Sequence, residues 1–427
     1  MRRKPWLVFL SFFITLNTLF FYGFVRDGTW LVIALLLIPV YYRVGYVNFF
    51  IGSLAFLGIT LALILVFRLG FHDKIYSQAQ QMLLTSDSDG RLIYKKNSRV
   101  ELMRRHGDLK GLADEDDKFD AQPHRVKFRV DSFGFRNDTD YNNEKYVLVG
   151  DSFIAGANNS QEDIFSSQIR RKYRVKAYNL AIQGDIPDYV YNVKKFERKY
   201  GGNFKVLLFV FEGNDFESVK KQSAYGSVRN FKRFYKKYLR IYKRFFKETD
   251  LYRYTFIAYK SLTKKKKEAN RVTELKIKNH RIAVFNDYLR VTQRRAHPFP
   301  EDGLAESIRS IRPRLAAIIF IPAKYRVYYG LMEPRPVLPL PHAQWEHIRS
   351  IAERLAVRAV DLTQPLAQES KRLLIEKNEL TYWADDTHWN ANGISVAVDE
   401  VCRALKELKC SPLDAPPANR ATPLMNG

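Results

Sequence analysis

The chain has 427 residues, with 70 Lys and Arg against 45 Asp and Glu, for a formal net charge of +25. With 46% hydrophobic and 14% aromatic residues it has apolar material for a sizeable core, which excludes a disordered protein. Its two cysteines, Cys402 and Cys410, exclude a disulfide framework or a zinc ribbon. A surplus of this size first suggests nucleic acid or an anionic surface as partner. However, residues 220–280 alone carry 20 Lys and Arg against four acids, Glu248, Asp250, Glu268 and Glu274. The chain is therefore ordinary in charge apart from one basic block, and no nucleic-acid-binding motif accompanies that block.

Along the chain, the first 70 residues read as a membrane region. Residues 5–25 and 44–67 contain no charged side chain, and each is long enough to cross a hydrocarbon core of about 30 Å. Between them lies GTWLVIALLLIPVYY, residues 28–42, which reaches only about 22 Å as a helix. With Met1–Lys4 held in the cytoplasm, three spans place everything after residue 70 outside it, and two spans place everything inside. Arg43, in the second loop, favours three. The expected location is the inner membrane, multi-pass, with the remainder extracytoplasmic. Residues 71–140 are polar and mixed and read as a connecting region with short strands.

From residue 146 the pattern alternates strand and helix. The strands are expected at 146–150, 175–181, 205–211, 315–322 and 357–362. Most are short apolar runs without alternation, as suits strands buried on both faces of a parallel sheet. Helices are expected at about 160–172, 187–200, 302–312 and 342–356, with a last one after residue 390. The fold class is α/β, a doubly wound sheet of five parallel strands. An insertion at about 218–300 holds the basic block. It reads as helical, because Phe231, Phe234, Tyr235, Tyr238, Ile241, Tyr242 and Phe245 recur at three-four spacing. Three roles are open for it: a solvated face, a helix on anionic lipid headgroups, or a lid for an anionic glycan. The tail, residues 409–427, reads as disordered. On one continuous helix Cys402 and Cys410 would be about 12 Å apart, so they are expected to be unpaired unless the helix ends first.

In such a sheet, chemistry gathers at the carboxyl ends of the strands. Gly150-Asp151-Ser152-Phe153 follows the first strand, Asn179-Leu180-Ala181-Ile182-Gln183-Gly184 the second, and Glu212-Gly213-Asn214-Asp215 the third. Asp385-Asp386-Thr387-His388 comes late in the chain. Together they offer what acyl transfer from an ester needs. The hydroxyl requires a base that titrates near neutrality, and histidine alone does so unperturbed. The imidazole requires a carboxylate, and the tetrahedral intermediate requires N–H donors. Of the eight histidines, only His388 is flanked by carboxylates in this way. The chain has no HExxH, Walker, CxxC or GxGxxG pattern.

These four blocks, in this order, resemble the SGNH (GDSL-type) hydrolase superfamily over roughly residues 130–408. Asp131–Asn137 (DSFGFRN) resembles its membrane-anchored members. DTHW (386–389) and IPAKYRVYY (321–329) are similar to the alginate O-acetyltransferase-like branch. The resemblance implies a flavodoxin-like three-layer sandwich over residues 141–408, with no metal or organic cofactor. It implies Ser152 as nucleophile, His388 as general base, and Ser152 N–H, Gly184 and Asn214 as oxyanion hole. For the orienting acid it leaves Asp385, three residues before the histidine, and Asp386, two before; Asp385 is favoured. The implied activity is that of a membrane-anchored esterase or O-acyltransferase on acylated polysaccharide. Alternatives are a lipid esterase docked on the bilayer and a non-catalytic glycan-binding or assembly component.

Overall fold

The computed structural model describes residues 83–216 and 271–410, except 88, 90, 114–118, 296–300, 335, 337 and 409, together with residues 58 and 62. The apolar segments read as membrane spans, the Phe/Tyr segment of the insertion that is expected to be helical, and the tail from residue 411 lie outside the described residues. No helix among the described residues is long and apolar enough to cross a membrane.

Four strands precede the main sheet: β1 (Leu84–Ser86), β2 (Leu92–Tyr94), β3 (Arg99–Arg104) and β4 (His124–Arg129). β1 pairs with β2 and β3 with β4, both antiparallel. The main sheet is built from β5 (Tyr146–Val149), β6 (Ala177–Asn179), β7 (Lys205–Phe211), β10 (Leu315–Ile321) and β11 (Arg358–Asp361). It contains five strands in the order β11-β10-β7-β5-β6, and every neighbouring pair is parallel. Two short strands, β8 (Val272–Ile277) and β9 (His280–Phe285), form a separate antiparallel hairpin.

Continuous apolar runs form this sheet because both of its faces are covered. Val206, Leu208 and Val210 of β7 face one layer of core, and Leu207, Phe209 and Phe211 face the other. The first layer packs against α2 (Ile186–Tyr200), α4 (Glu301–Arg309) and α6 (Ala343–Arg354), through Val193, Ile308 and Ile351 among others. The second packs against α1 (Phe165–Tyr173), α7 (Thr363–Glu376) and α8 (Ala391–Ala404), through Ile169, Leu366 and Val398. Each fully buried Leu or Phe contributes about 1.5–3 kcal/mol. The result is an α/β sandwich with helices on both faces of the sheet. The helix ends follow local chemistry: Asp185 accepts from the Asp188 N–H to open α2, and Asn390 accepts from the N–H groups of Asn392 and Gly393 to open α8.

Three expectations change. The region read as a connector belongs to the same compact unit as the sheet. Tyr94, Val126, Phe128, Val130 and Phe135 share a core with Val147, Val149 and α2. The part of the insertion that is described is not a long helix but the β8–β9 hairpin followed by α3 (Asn286–Thr292). The hairpin docks through the Ala283 N–H on the Ala384 carbonyl (2.8 Å). Finally, Cys402 and Cys410 are disulfide-bonded, with Cα atoms 5.6 Å apart. Helix α8 stops at Ala404, Leu405 leaves the helical region and a 3-10 turn follows at Lys406–Leu408, so the chain folds back instead of carrying Cys410 away.

Candidate active site

The strand order places two candidate loops side by side. After β5 the chain crosses to β6 on one side, whereas β7 lies on the other side of β5. The order thus reverses between β5 and β7, and the loops beyond their carboxyl ends diverge around a crevice, where ligands bind in open α/β sheets. Ser152 follows β5 by three residues and Asn214 follows β7 by three.

The nucleophile turn is stiff. The Asp151 carboxylate accepts from the Phe153 N–H (2.8 Å), and the Ser152 carbonyl accepts from the Ala157 N–H (2.9 Å). The rest of the loop is held by Arg136, which is fully buried. Its guanidinium donates to the carbonyls of Gly156 (2.5 Å), Asn159 (2.7 Å) and Lys127 (2.9 Å), and lies over the Phe128 ring. Asp131 fixes the turn that presents Arg136 by accepting from the N–H groups of Phe133, Gly134 and Phe135. The DSFGFRN segment is therefore the scaffold of the nucleophile loop.

His388 donates or accepts at both ring nitrogens. Nε2 lies 2.7 Å from Ser152 Oγ, and Nδ1 lies 2.6 Å from Asp386 Oδ1. The favoured acid, Asp385, is thereby corrected: the carboxylate on His388 is Asp386. The same Asp386 Oδ1 accepts the His388 backbone N–H (3.0 Å), closing a local turn of i, i+2 spacing. Asp385 points the other way and accepts the Gly107 N–H (2.7 Å). Trp389, wholly buried, joins this turn to the nucleophile loop: Asn159 donates to its carbonyl, and its indole N–H donates to the Phe153 carbonyl.

Electrostatics favour an ionised acid. Burial would raise the Asp386 pKa, but the His388 charge and hydrogen bonds, with Arg104, hold it well below the usual carboxylate range. Its second oxygen accepts from Asn158 Nδ2 (2.6 Å) and from the Asp108 N–H (2.7 Å). For His388, burial opposes the charged form, but Asp386, Asp108 and Asp151 together raise its pKa above that of free imidazole. Lys324, on α5 (Lys324–Tyr328), closes the turn from below. Its ammonium donates to the carbonyls of Trp383, Ala384 and Asp386 at 2.7–3.1 Å, and burial brings its pKa down to about 8. α5 is itself anchored where β7 ends, by the buried Arg326–Glu212 pair. Removing one partner of such a pair costs about 3–5 kcal/mol.

Two further loops approach the crevice. The Tyr189 hydroxyl on α2 lies 3.1 Å from the Gly184 carbonyl and donates to Asp215 Oδ1 (2.7 Å), so it ties the loop after β6 to the loop after β7. Asn214 Oδ1 is buried without a hydrogen-bond partner among the described residues. A Cβ on Gly213 would stand 2.4 Å from the Phe211 ring, which is why glycine directly precedes the asparagine. Among the described residues, Asp108, Asp386 and His388 bring carboxylates and an imidazole close enough that they could hold a metal ion. The oxygens of Asp386 and both nitrogens of His388 are already bonded to protein groups.

Sequence reasoning missed Arg104, Gly107, Asp108 and Asn158, single residues in stretches without a motif. Lys324 lies in the IPAKYRVYY stretch, which did stand out. No protein-family model matches the chain, and no curated protein matches it. Chemically, the arrangement can deprotonate Ser152 through His388 while Asp386 keeps the imidazole in the right tautomer and stabilises its cation.

Proposed function

We propose that this protein is a membrane-anchored serine esterase or O-acyltransferase of the SGNH (GDSL-type) kind. The observation that carries the reading is the hydrogen-bonded line Ser152–His388–Asp386, with links of 2.7 and 2.6 Å, at the reversal point of a parallel sheet. Ser152 Oγ attacks the ester carbonyl, His388 Nε2 takes its proton, and the acyl group moves to Ser152. His388 then returns the proton to the leaving alcohol. The oxyanion is assigned to Ser152 N–H, Gly184 N–H and the Asn214 side-chain amide, at the ends of three adjacent strands. Water then frees the acid, or a sugar hydroxyl receives the acyl group; the first half-reaction is common to both.

The substrate we assign is an O-acyl group on an envelope or exported polysaccharide, with the domain facing outside the cytoplasm. Two observations support that location: the three apolar segments at residues 5–25, 28–42 and 44–67, which as three spans carry the chain out of the cytoplasm, and the Cys402–Cys410 disulfide, a bond that persists in oxidising compartments. The flavodoxin-like description of the sandwich belongs to the same reading, since the strand order is 2-1-3-4-5 when the five strands are numbered along the chain.

The test is covalent. A fluorophosphonate probe should label the full-length protein, and Ser152→Ala should abolish labelling without lowering the melting temperature. Hydrolysis of acetylated glycans should disappear with it. An intact labelling rate in Ser152→Ala overturns the assignment.

A further inference from the structure

We propose that the turn at residues 104–109 is the positioning element of the catalytic acid, and that Asp108 within it is a second carboxylate facing the His388 imidazole. The inference rests on the serine-hydrolase reading above and concerns the control of that same site.

The turn links β3 to the rest of the N-terminal module and reaches the site by close backbone approach. Its Gly107 N–H donates to Asp385 Oδ2 (2.7 Å), its Asp108 N–H to Asp386 Oδ2 (2.7 Å), and its Leu109 N–H to the Asp385 carbonyl (3.2 Å). Three successive donors therefore hold two adjacent carboxylate-bearing residues. Glycine is required at the centre: a Cβ on Gly107 would stand 2.1 Å from the Asp385 carbonyl oxygen and 2.7 Å from Asp386 Cβ.

The Asp108 side chain then turns toward the imidazole. Its Oδ1 accepts from the Thr387 N–H (2.8 Å) and hydroxyl (3.2 Å), which fixes the carboxylate from one side. Its Oδ2 stands 3.9 Å from His388 Nδ1, just beyond the Asp386 oxygen that holds the same nitrogen. The charges around it come from every element packed there. Arg104 of β3 is 3% exposed, with Nη2 3.8 Å from Asp386 Oδ2, and Nε and Nη2 have no hydrogen-bond partner among the described residues. Lys324 of α5 lies beneath the turn, Asp385, Asp386 and His388 lie on the loop before α8, and Asp151 lies on the turn after β5. Arg104 thus acts on the carboxylates through its charge. When Ser152 Oγ gives its proton to His388 Nε2, the imidazolium faces two carboxylates, and no proton passes to Asp108.

Such a carboxylate does more than shape the loop. Burial and the Asp386 charge push Asp108 up to about 7, close to the ordinary range of an imidazole. Each group's protonation then depends on the other's, and His388 is a stronger base with Asp108 ionised than without it.

Asp108→Asn keeps the backbone donor and an oxygen for Thr387 but removes the charge. In the full-length protein, the acid limb of the labelling rate against pH should move down by about half to one unit. The rate on the alkaline plateau should fall about three- to tenfold, the loss expected of a weaker base. Asp108→Glu should restore most of the midpoint. A folded Asp108→Asn protein with the wild-type midpoint overturns the proposal, whether its rate is unchanged or reduced equally at every pH. Should Asp108→Asn fail to melt cooperatively, the wild type decides instead. NMR titration of the His388 side chain is expected to show two coupled steps, and one simple step overturns the proposal. Wild-type protein that takes up no probe refutes the serine-hydrolase reading, and the same NMR titration still judges Asp108.

Discussion

His388 discriminates between adjacent carboxylates through backbone geometry. In the turn that carries them, Asp386 accepts both the ring and the main-chain N–H of His388, while Asp385 faces the Gly107 turn. Asp386→Asn should therefore slow probe labelling by about 10⁴-fold, the cost of leaving the imidazole in the wrong tautomer in other triads. Asp385→Asn should slow it far less. The depressed pKa of Asp386 also fixes a stability profile. The contribution of its ionised form is fully present above about pH 4 and is lost as pH falls toward the lower folded-state value. Thermal melts should show Asp386→Asn below wild type at pH 7, with the gap narrowing as pH drops below about 4. A constant gap counts against the Asp386–His388 pair as its source. At this scale the pairing of Ser152 with His388 was legible, because hydroxyl and imidazole stood in recognisable blocks. The acid was not, since spacing does not say which way a turn directs two neighbouring carboxylates.

Elements hold the site as much as its residues do. Arg136 braces the nucleophile loop, Lys324 braces the acid turn, and the β3 turn clamps the acid turn from above. Gly107→Ala tests the clamp. The added methyl meets backbone on the Asp385 side, so an overpacking cost of about 1–3 kcal/mol is expected. The melting temperature should fall and labelling should slow together; an unchanged rate in a destabilised protein would separate the clamp from catalysis. The five sheet strands were legible because they are continuous apolar runs, as two-sided burial demands. β3 and β4 were expected only as unplaced short strands of a connector: each is half-exposed, with Arg125 and Lys127 alternating with Val126 and Phe128 on β4, and six residues do not say that the ribbon joins the main core. β8 and β9 were hidden by the basic composition upstream of them.

Across the whole molecule, the sheet order puts residues 152 and 214 beyond the carboxyl ends of neighbouring strands, the hydrogen bond from His388 to Ser152 joins the late loop to them, and the returning chain after α8 brings Cys410 back to Cys402. That disulfide closes a short loop and should contribute about 2–3 kcal/mol. Replacing both cysteines by serine should lower the melting temperature without changing probe labelling. Alkylation of the intact protein should find free thiols only after reduction, and free thiols beforehand would exclude the bond. The basic block at residues 220–280, which dominates the net charge, lies apart in sequence from all four catalytic blocks.

The sequence by itself determined the strand–helix alternation, the apolar N-terminal segments, the serine and the histidine, because hydrophobic period and reactive side chains are local properties. Tertiary structure alone decided the rest: that Asp386 and not Asp385 is the carboxylate bonded to His388, that residues 104–109 reach that turn, and that the two cysteines meet. The first two depend on N–H groups that arrive from more than a hundred residues away, and the third on where the backbone turns after α8.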